Sequence, residues 1–377
     1  MQNPDESLKK FYQGLDQEEE QERELADKTS PLLADIDTEL LKGREREYRD
    51  VEKHWVRTNL WLKVAKQIAR QKPDDHGIRY LTLPAYYRIG VSLFLQHGLL
   101  HVTQKNEDGS AKQVYVAAFE SDDTKFARMT KQVPYYKLFG LGKIEDALTD
   151  PKNGYYQELL DLFPFDVINL DLTNTLAPQR EGPYSKTMRA IEEVFQRQAP
   201  HGSKWALFLT FRNMPDQWSE HTRKQLFDNL QANLDDHALV RETFYKRYKE
   251  INVEGLSKTK TQLCLSQAVV KWLVDRAHHY SLKLESMSCG FYSRYPKGVL
   301  PYQIYKHVLV FSRGKRDVAI IPTKGTPSQS WMLSDLADCV NKHQCADIEE
   351  KLAHIDEKFP LFQKLQEEIK TLCSLID

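Results

Sequence analysis

Apolar residues follow two kinds of spacing along the chain, and the change between them marks its organisation. From residue 32 to about residue 71 they recur every three or four positions, through Leu40, Leu41, Tyr48, Val51, Trp55, Leu60, Leu62, Val64 and Ile68. That period predicts two helices, ended by the breaker run Lys72-Pro73-Asp74-Asp75-His76-Gly77. After Gly77, short apolar runs alternate with amphipathic stretches of helical length, the pattern of βαβ units and a mostly parallel sheet. Strands are predicted over 78–83, 113–120, 137–141, 165–170 and 205–211, with helices over 86–96, 124–132, 184–198 and 219–234. Two more strands, 282–291 and 303–311, flank a Pro- and Gly-containing loop at 294–301. A short strand at 318–321, a turn-rich link at 322–330 and two or three helices complete the pattern.

Composition narrows the class. The chain has 377 residues, 41% hydrophobic and 28% charged, which suits a globular protein with a real core. No run approaches the ~20 apolar residues that span a bilayer, and the polar, acidic start lacks a secretory pattern. A cytoplasmic protein with no membrane partner is expected. The five cysteines are scattered without a CxxC pair, so thiols in a reducing compartment are expected and no metal site is. His278-His279 lacks a carboxylate at ligand spacing and reads as an exposed helix pair.

Charge is uneven along the chain. Residues 1–50 hold 15 acidic and 8 basic residues, whereas 241–316 hold 15 basic and 5 acidic. Within 241–262, Arg241, Lys246, Arg247, Lys249, Lys258 and Lys260 interleave with Phe244, Tyr245 and Tyr248. The 294–301 loop region adds Tyr292, Arg294, Tyr295 and Lys297. Cations beside rings that stack on bases form one reading, a nucleic-acid surface. The other is a solvated helix face with its aromatics turned inward.

Three carboxylates stand at strand ends or just beyond: Glu120 in VYVAAFESD, Asp146 in GKIEDAL and Asp171 in FDVINLDLTNTL. With WALFLTFR and the late strand pair, this order over about 240 residues resembles the class I (Rossmann-type) S-adenosylmethionine-dependent methyltransferases. The resemblance implies a doubly wound, mostly parallel seven-strand sheet with a terminal antiparallel strand. It divides the chain into an acidic head (1–30), a helical segment (31–75), the Rossmann-type domain (76–315) and a C-terminal helical extension (316–377). The helical segment is left open as a lid, a dimerisation arm or a surface for a protein partner.

The resemblance also implies S-adenosylmethionine as cofactor, with Glu120 on the ribose hydroxyls and Asp146 beside the adenine. Asp171 and Asn174, with Thr173, would face the methyl acceptor, and Arg212 would grip a phosphate or carboxylate. Each has a plainer reading as a helix cap, a turn former or a surface ion pair. The chain departs from the family after the first strand. There Thr82-Leu83-Pro84-Ala85-Tyr86-Tyr87-Arg88-Ile89-Gly90 replaces the glycine-rich turn. Either Thr82 and Arg88 contact the cofactor instead, or Tyr86 or Tyr87 fills its place. The fourth strand ends in Asp-Leu-Thr-Asn, not the (Asp/Asn)-Pro-Pro-(Tyr/Phe) of enzymes that methylate exocyclic amines, so that chemistry is not expected. A methyltransferase-like enzyme acting on nucleic acid or another anion is one expectation. A non-catalytic scaffold or nucleic-acid sensor of the same fold is the other. A nicotinamide dehydrogenase is disfavoured by the missing GxGxxG and by the terminal strand pair.

Overall fold

The computed structural model describes residues 51–73, 76–84, 88–107, 109, 111–132, 136–172, 174–181, 184–294, 302–314 and 346–347. The acidic head, the 318–321 strand and the C-terminal helices lie outside the described residues, as do Tyr86, Tyr87, Thr173, Tyr295 and Lys297. Helix α1 (Val51–Val56) passes through a π-helical turn (Arg57–Trp61) into α2 (Leu62–Ala69). The wider turn keeps both Arg57 and Trp61 buried.

Among the described residues, nine strands form one sheet. They are β1 (Tyr80–Thr82), β2 (Val102–Lys105), β3 (Ala111–Glu120), β4 (Tyr136–Leu141), β5 (Val167–Asp171), β6 (Trp205–Asn213), β7 (Leu282–Arg294), β8 (Tyr302–Arg313) and β9 (Ala346–Asp347). The helices between them are α3 (Ile89–Gln96), α4 (Asp123–Gln132), α5 (Ile144–Thr149), α6 (Tyr156–Asp161) and α7 (Lys186–Gln198). They continue with α8 (Glu220–Asp236), α9 (Ala238–Tyr248) and α10 (Lys258–His279). The strand order is β2-β3-β1-β5-β6-β8-β7-β9, with β4 on the far side of β3.

Strands β4, β3, β1, β5 and β6 run parallel, while β8 is antiparallel to both β6 and β7. The expected central position of 165–170 holds, since β5 lies between β1 and β6. Seven strands were expected; β2 and β9 are additional. The sequence of β2, VTQK, has no apolar alternation and pairs as a hairpin on the start of β3.

Strand parity separates two layers. Leu81, Ala117, Phe119, Ile168, Leu170, Leu207, Leu209 and Phe211 pack into the main core with residues of α5, α7, α8 and α10. On the other face lie Tyr80, Thr82, Val116, Asn169, Asp171, Phe208 and Thr210, by the same registers. The N-terminal helices cover that face. Trp61 stacks on Phe208 at 5.5 Å, and Gly90 of α3 sits between Tyr80 and Trp61. A face carrying Thr, Asn and Asp cannot be sealed by apolar packing alone. The covering helix accordingly brings charge as well as rings.

Candidate functional site at the carboxyl edge of the sheet

The chain leaves β1 toward β3 and β4 on one side, then returns to β5 on the other. The crevice of a doubly wound sheet opens at that reversal, beyond the carboxyl ends of β1 and β5. Register fixes what stands there. Thr82 pairs with both Ala118 and Asn169, so Glu120 and Asp171 lie two residues further on, at one level and on one face. Two strand spacings separate them, about 10 Å between backbones. The same row continues through Thr210 and Lys306 to Gly290.

Asp171 is closed in by cations. Its Oδ1 is 3.0 Å from Lys306 Nζ and its Oδ2 3.1 Å from Lys53 Nζ of α1. Burial by itself would raise its pKa; Lys306, Lys53 and then Arg57 overcome that and hold the carboxyl well below the usual range. Lys306 is only 1% exposed and lies over the rings of Trp61 (5.4 Å) and Tyr292 (5.8 Å). His54, on the same helix as Lys53, is buried, and burial with the Arg57 charge lowers it to about 3. Tyr80, whose hydroxyl meets Asn169 Nδ2 at 3.2 Å, is pushed up to about 12, first by burial.

Glu120 is open by comparison. It is half-buried, and its Oε1 accepts the Asp122 amide at 3.0 Å, while its own carbonyl accepts from Gly142. The plain reading of Glu120 as cap of the next helix falls instead to Asp122, which accepts from Lys125 N. Thr82 is buried and meets Asn169 Nδ2 at 3.3 Å. Asn169 Oδ1 has no donor among the described residues. Arg88 caps α3 in the left-handed region (φ 48°), is buried, and its Nε has no acceptor among the described residues. A non-glycine residue held there is strained, and such strain concentrates at functional sites.

The remaining expected residues are spread more widely. Asp146 lies in the first turn of α5, whose Ile144, Ala147 and Leu148 pack into the main core, and it is ion-paired with Lys186 of α7. Asn174 is exposed three residues beyond Asp171, and its carbonyl accepts the Arg212 amide. Arg212 is half-buried and by parity shares the face of Thr210.

On α9, Arg241 caps α8 through the Leu234 and Asp235 carbonyls, and Lys246 pairs with Glu242 at 2.7 Å. Tyr248, expected to meet a base, is a correction. It is 1% exposed, packed against the tilted ring of Phe244, with its hydroxyl on Gln267 Oε1 at 2.7 Å. The helix period turns its ring inward with Phe244. Arg247 lies over that ring, Lys249 ends the helix over Tyr245, and Tyr245 alone of the three rings is largely exposed, at 51%. The side chain of Arg294 lies outside the described residues. Of the cysteines, Cys264 is a buried thiol, whereas Cys289 is disulfide-bonded, which departs from the expectation of thiols throughout.

Lys53, Arg57, Asn169 and Lys306 were not singled out from sequence. A signal existed for one of them: Lys306 and His307 interrupt the apolar run of β8, and a charge inside such a run is a buried charge in need of a partner. Among the described residues no three His, Cys, Asp or Glu side chains are placed to hold a metal ion, and no helix is long and apolar enough to cross a membrane.

The order β4-β3-β1-β5-β6-β8-β7, with β8 reversed, defines a class I methyltransferase-like fold. The sequence matches the model of the PP_RS20740-like family over residues 141–369, and the chain belongs to that family. No curated protein matches it. Among solved structures it is similar to M. jannaschii TYW2, a complex with AdoMet, at 10% identity and TM-score 0.30, over 67% of this chain and 75% of that one. It is also similar to an rRNA methylase from Streptococcus thermophilus, at 11% identity and TM-score 0.28, over 67% and 97%. The fold assignment rests on the strand order and not on these superpositions.

Proposed function

We propose that the domain binds S-adenosylmethionine at the carboxyl ends of β1, β3 and β5, and that it acts as a methyltransferase-like protein on an anionic substrate, nucleic acid foremost. The observation that carries this reading is Arg88: a buried, strained arginine in the turn after β1 whose Nε has no acceptor among the described residues. A buried donor without a partner is costly, and a ligand that supplies an acceptor removes that cost.

The groups fit the cofactor's chemistry. The Glu120 carboxylate can accept from the two ribose hydroxyls, Arg88 can donate to the amino-acid carboxylate, and Thr82 lies on β1 between the strands of Glu120 and Asp171. Asp146, beyond β4, is proposed beside the adenine. S-adenosylmethionine, when bound, supplies an electrophilic methyl group on a sulfonium. Transfer from it depends mainly on holding the acceptor in line. Asp171, ionised and held by two lysines, acts in this reading as a fixed charge and not as a proton acceptor. Asn174, exposed beyond it, presents an amide to the acceptor. Arg212, Tyr245, Lys246, Arg247 and Lys249 are proposed to meet phosphates and bases, with Arg241 and Arg294 at the margin.

A second reading has its own observation. Both oxygens of Asp171 are occupied by lysines, as suits a fold kept for scaffolding or nucleic-acid sensing without catalysis. Calorimetry with S-adenosylhomocysteine tests the cofactor site, and methyl transfer from labelled donor to RNA and DNA separates the two readings. Saturable binding weakened in Glu120→Ala is expected. No binding by the wild-type chain would overturn the cofactor reading.

A further inference from the structure

The last strands of the sheet carry a covalent bond that the reading above does not use. Cys289 of β7 is 5% exposed and disulfide-bonded. Cys264, the other described cysteine, is a free thiol. The remaining cysteines are Cys339, Cys345 and Cys373, all outside the described residues.

Register chooses among these three. Strand β9 lies on the outer edge of β7 and runs parallel to it, with Gly290 level with Ala346 and Phe291 level with Asp347. One step back along both strands sets position 345 level with Cys289. Neighbouring strands lie about 4.8 Å apart, inside the ~4.4–6.8 Å between Cα atoms that a disulfide bridges. Level residues on adjacent parallel strands also share a face of the sheet. Cys339 stands seven positions ahead of Ala346 and Cys373 twenty-seven beyond it, and the register brings neither to Cys289.

Strand β9 is short, only Ala346 and Asp347. Two residues supply few hydrogen bonds, and parallel pairing is slightly weaker per residue than antiparallel pairing. Strand β7 does not depend on it, because β7 pairs with β8 from Leu282 to Arg294. What β9 covers is the outer edge at Gly290 and Phe291, backbone that could otherwise pair with another chain. A covalent tie one residue before β9 would keep so short a strand in place.

We infer that Cys289 and Cys345 form a redox latch, which holds β9 on the edge of β7 when oxidised and releases it when reduced. In a reducing compartment the pair rests as two thiols, and the bond marks oxidation. Closure needs a two-electron acceptor, and a small disulfide of the glutathione type serves. One protein thiolate attacks it, expels a glutathione thiolate and forms a mixed disulfide; the second protein thiolate then displaces the other glutathione. The protein loses two electrons and two thiol protons, and two glutathione thiols carry them away.

Peptide mapping of the full chain tests the pairing, after treatment with glutathione disulfide or with dithiothreitol and blocking of free thiols with iodoacetamide. Lys342 separates Cys339 from Cys345 in a tryptic digest. A linked pair of peptides containing Cys289 and Cys345 is expected in the oxidised protein and should be lost on reduction. Cys289 linked to Cys339, to Cys373 or to a second chain would overturn the inference, as would Cys289 alkylated in the oxidised protein. Hydrogen exchange over 288–292 reads the latch itself. It should be about tenfold faster after reduction, the scale of one lost edge hydrogen bond. Cys345→Ser should exchange at the faster rate under both conditions, whereas Cys373→Ser should follow the wild type. Equal exchange in oxidised and reduced wild-type protein would overturn the latch.

Discussion

Glu120 and Asp171 stand at the same height on the same face of one sheet, with β1 between them, yet their surroundings are opposite. Asp171 lies under α1 with a lysine on each oxygen and Arg57 nearby. Glu120 ends β3 at a half-buried position, and its side chain accepts a neighbouring amide. Place in a fold nominates a residue; its neighbours decide what it can do. Asp171 is held as the counter-ion of two lysines, whereas Glu120 accepts a backbone amide.

The strongest way to break this contrast is Asp171→Ala. It would leave Lys306, 1% exposed, without its carboxylate. Breaking a buried pair in this way costs about 3–5 kcal/mol. Urea unfolding should show that loss, and a change within error would mean that the lysines are better solvated than their burial indicates.

Acid should act first through two buried histidines, His54 on α1 and His307 in the main core. His54 and His307 are each lowered from 6.5 to about 3, burial being the leading cause. Both stay neutral in the folded chain, while the unfolded chain takes up protons below its ordinary histidine value. Their contribution is therefore fully present above about pH 6.5 and is lost as pH falls toward 3, at up to ~2.7 kcal/mol per pH unit for the pair. Asp171 adds a loss of the same sign once pH drops below its unfolded value of 3.8. A melting temperature that is flat between pH 7 and 4.5 would contradict this. Replacing His307 by Asn should flatten part of the slope.

Glu120→Ala sharpens the other side. Folding stability should change little, whereas binding of S-adenosylhomocysteine should weaken by about 1–3 kcal/mol, as expected when hydroxyls lose their acceptor. Equal affinity in both proteins would remove Glu120 from the cofactor site. The smallest effect is expected at Lys246, whose partner Glu242 is fully solvated. Lys246→Ala should leave the melting temperature unchanged while reducing the salt sensitivity of any nucleic-acid binding. An unchanged salt slope would place the basic face of α9 outside the interface.

Much of the fold was legible. The apolar runs that became β3, β5, β6, β7 and β8 are each long enough to report their period, and the late strand pair announced the reversed β8. The VTQK strand was not legible, because an edge hairpin needs no apolar alternation to pair. The site divides in the same way. Glu120 and Asp171 were readable because strand ends are where doubly wound sheets place ligands. Lys53 was not, since on its own helix it is one more charged residue, and only docking sets it against a carboxylate 118 positions later. Tyr248 was misread because its helix could be phased from sequence only up to the choice of which face met the core.

The sequence by itself determined which segments became strands and helices and which ends carried carboxylates, because those properties are set by spacing within a dozen residues. Only the tertiary structure decided that one carboxylate is held between two lysines while its neighbour accepts a backbone amide. Charges separated by tens or hundreds of positions acquire their partners through the packing of the layers, and local pattern carries no record of that distance.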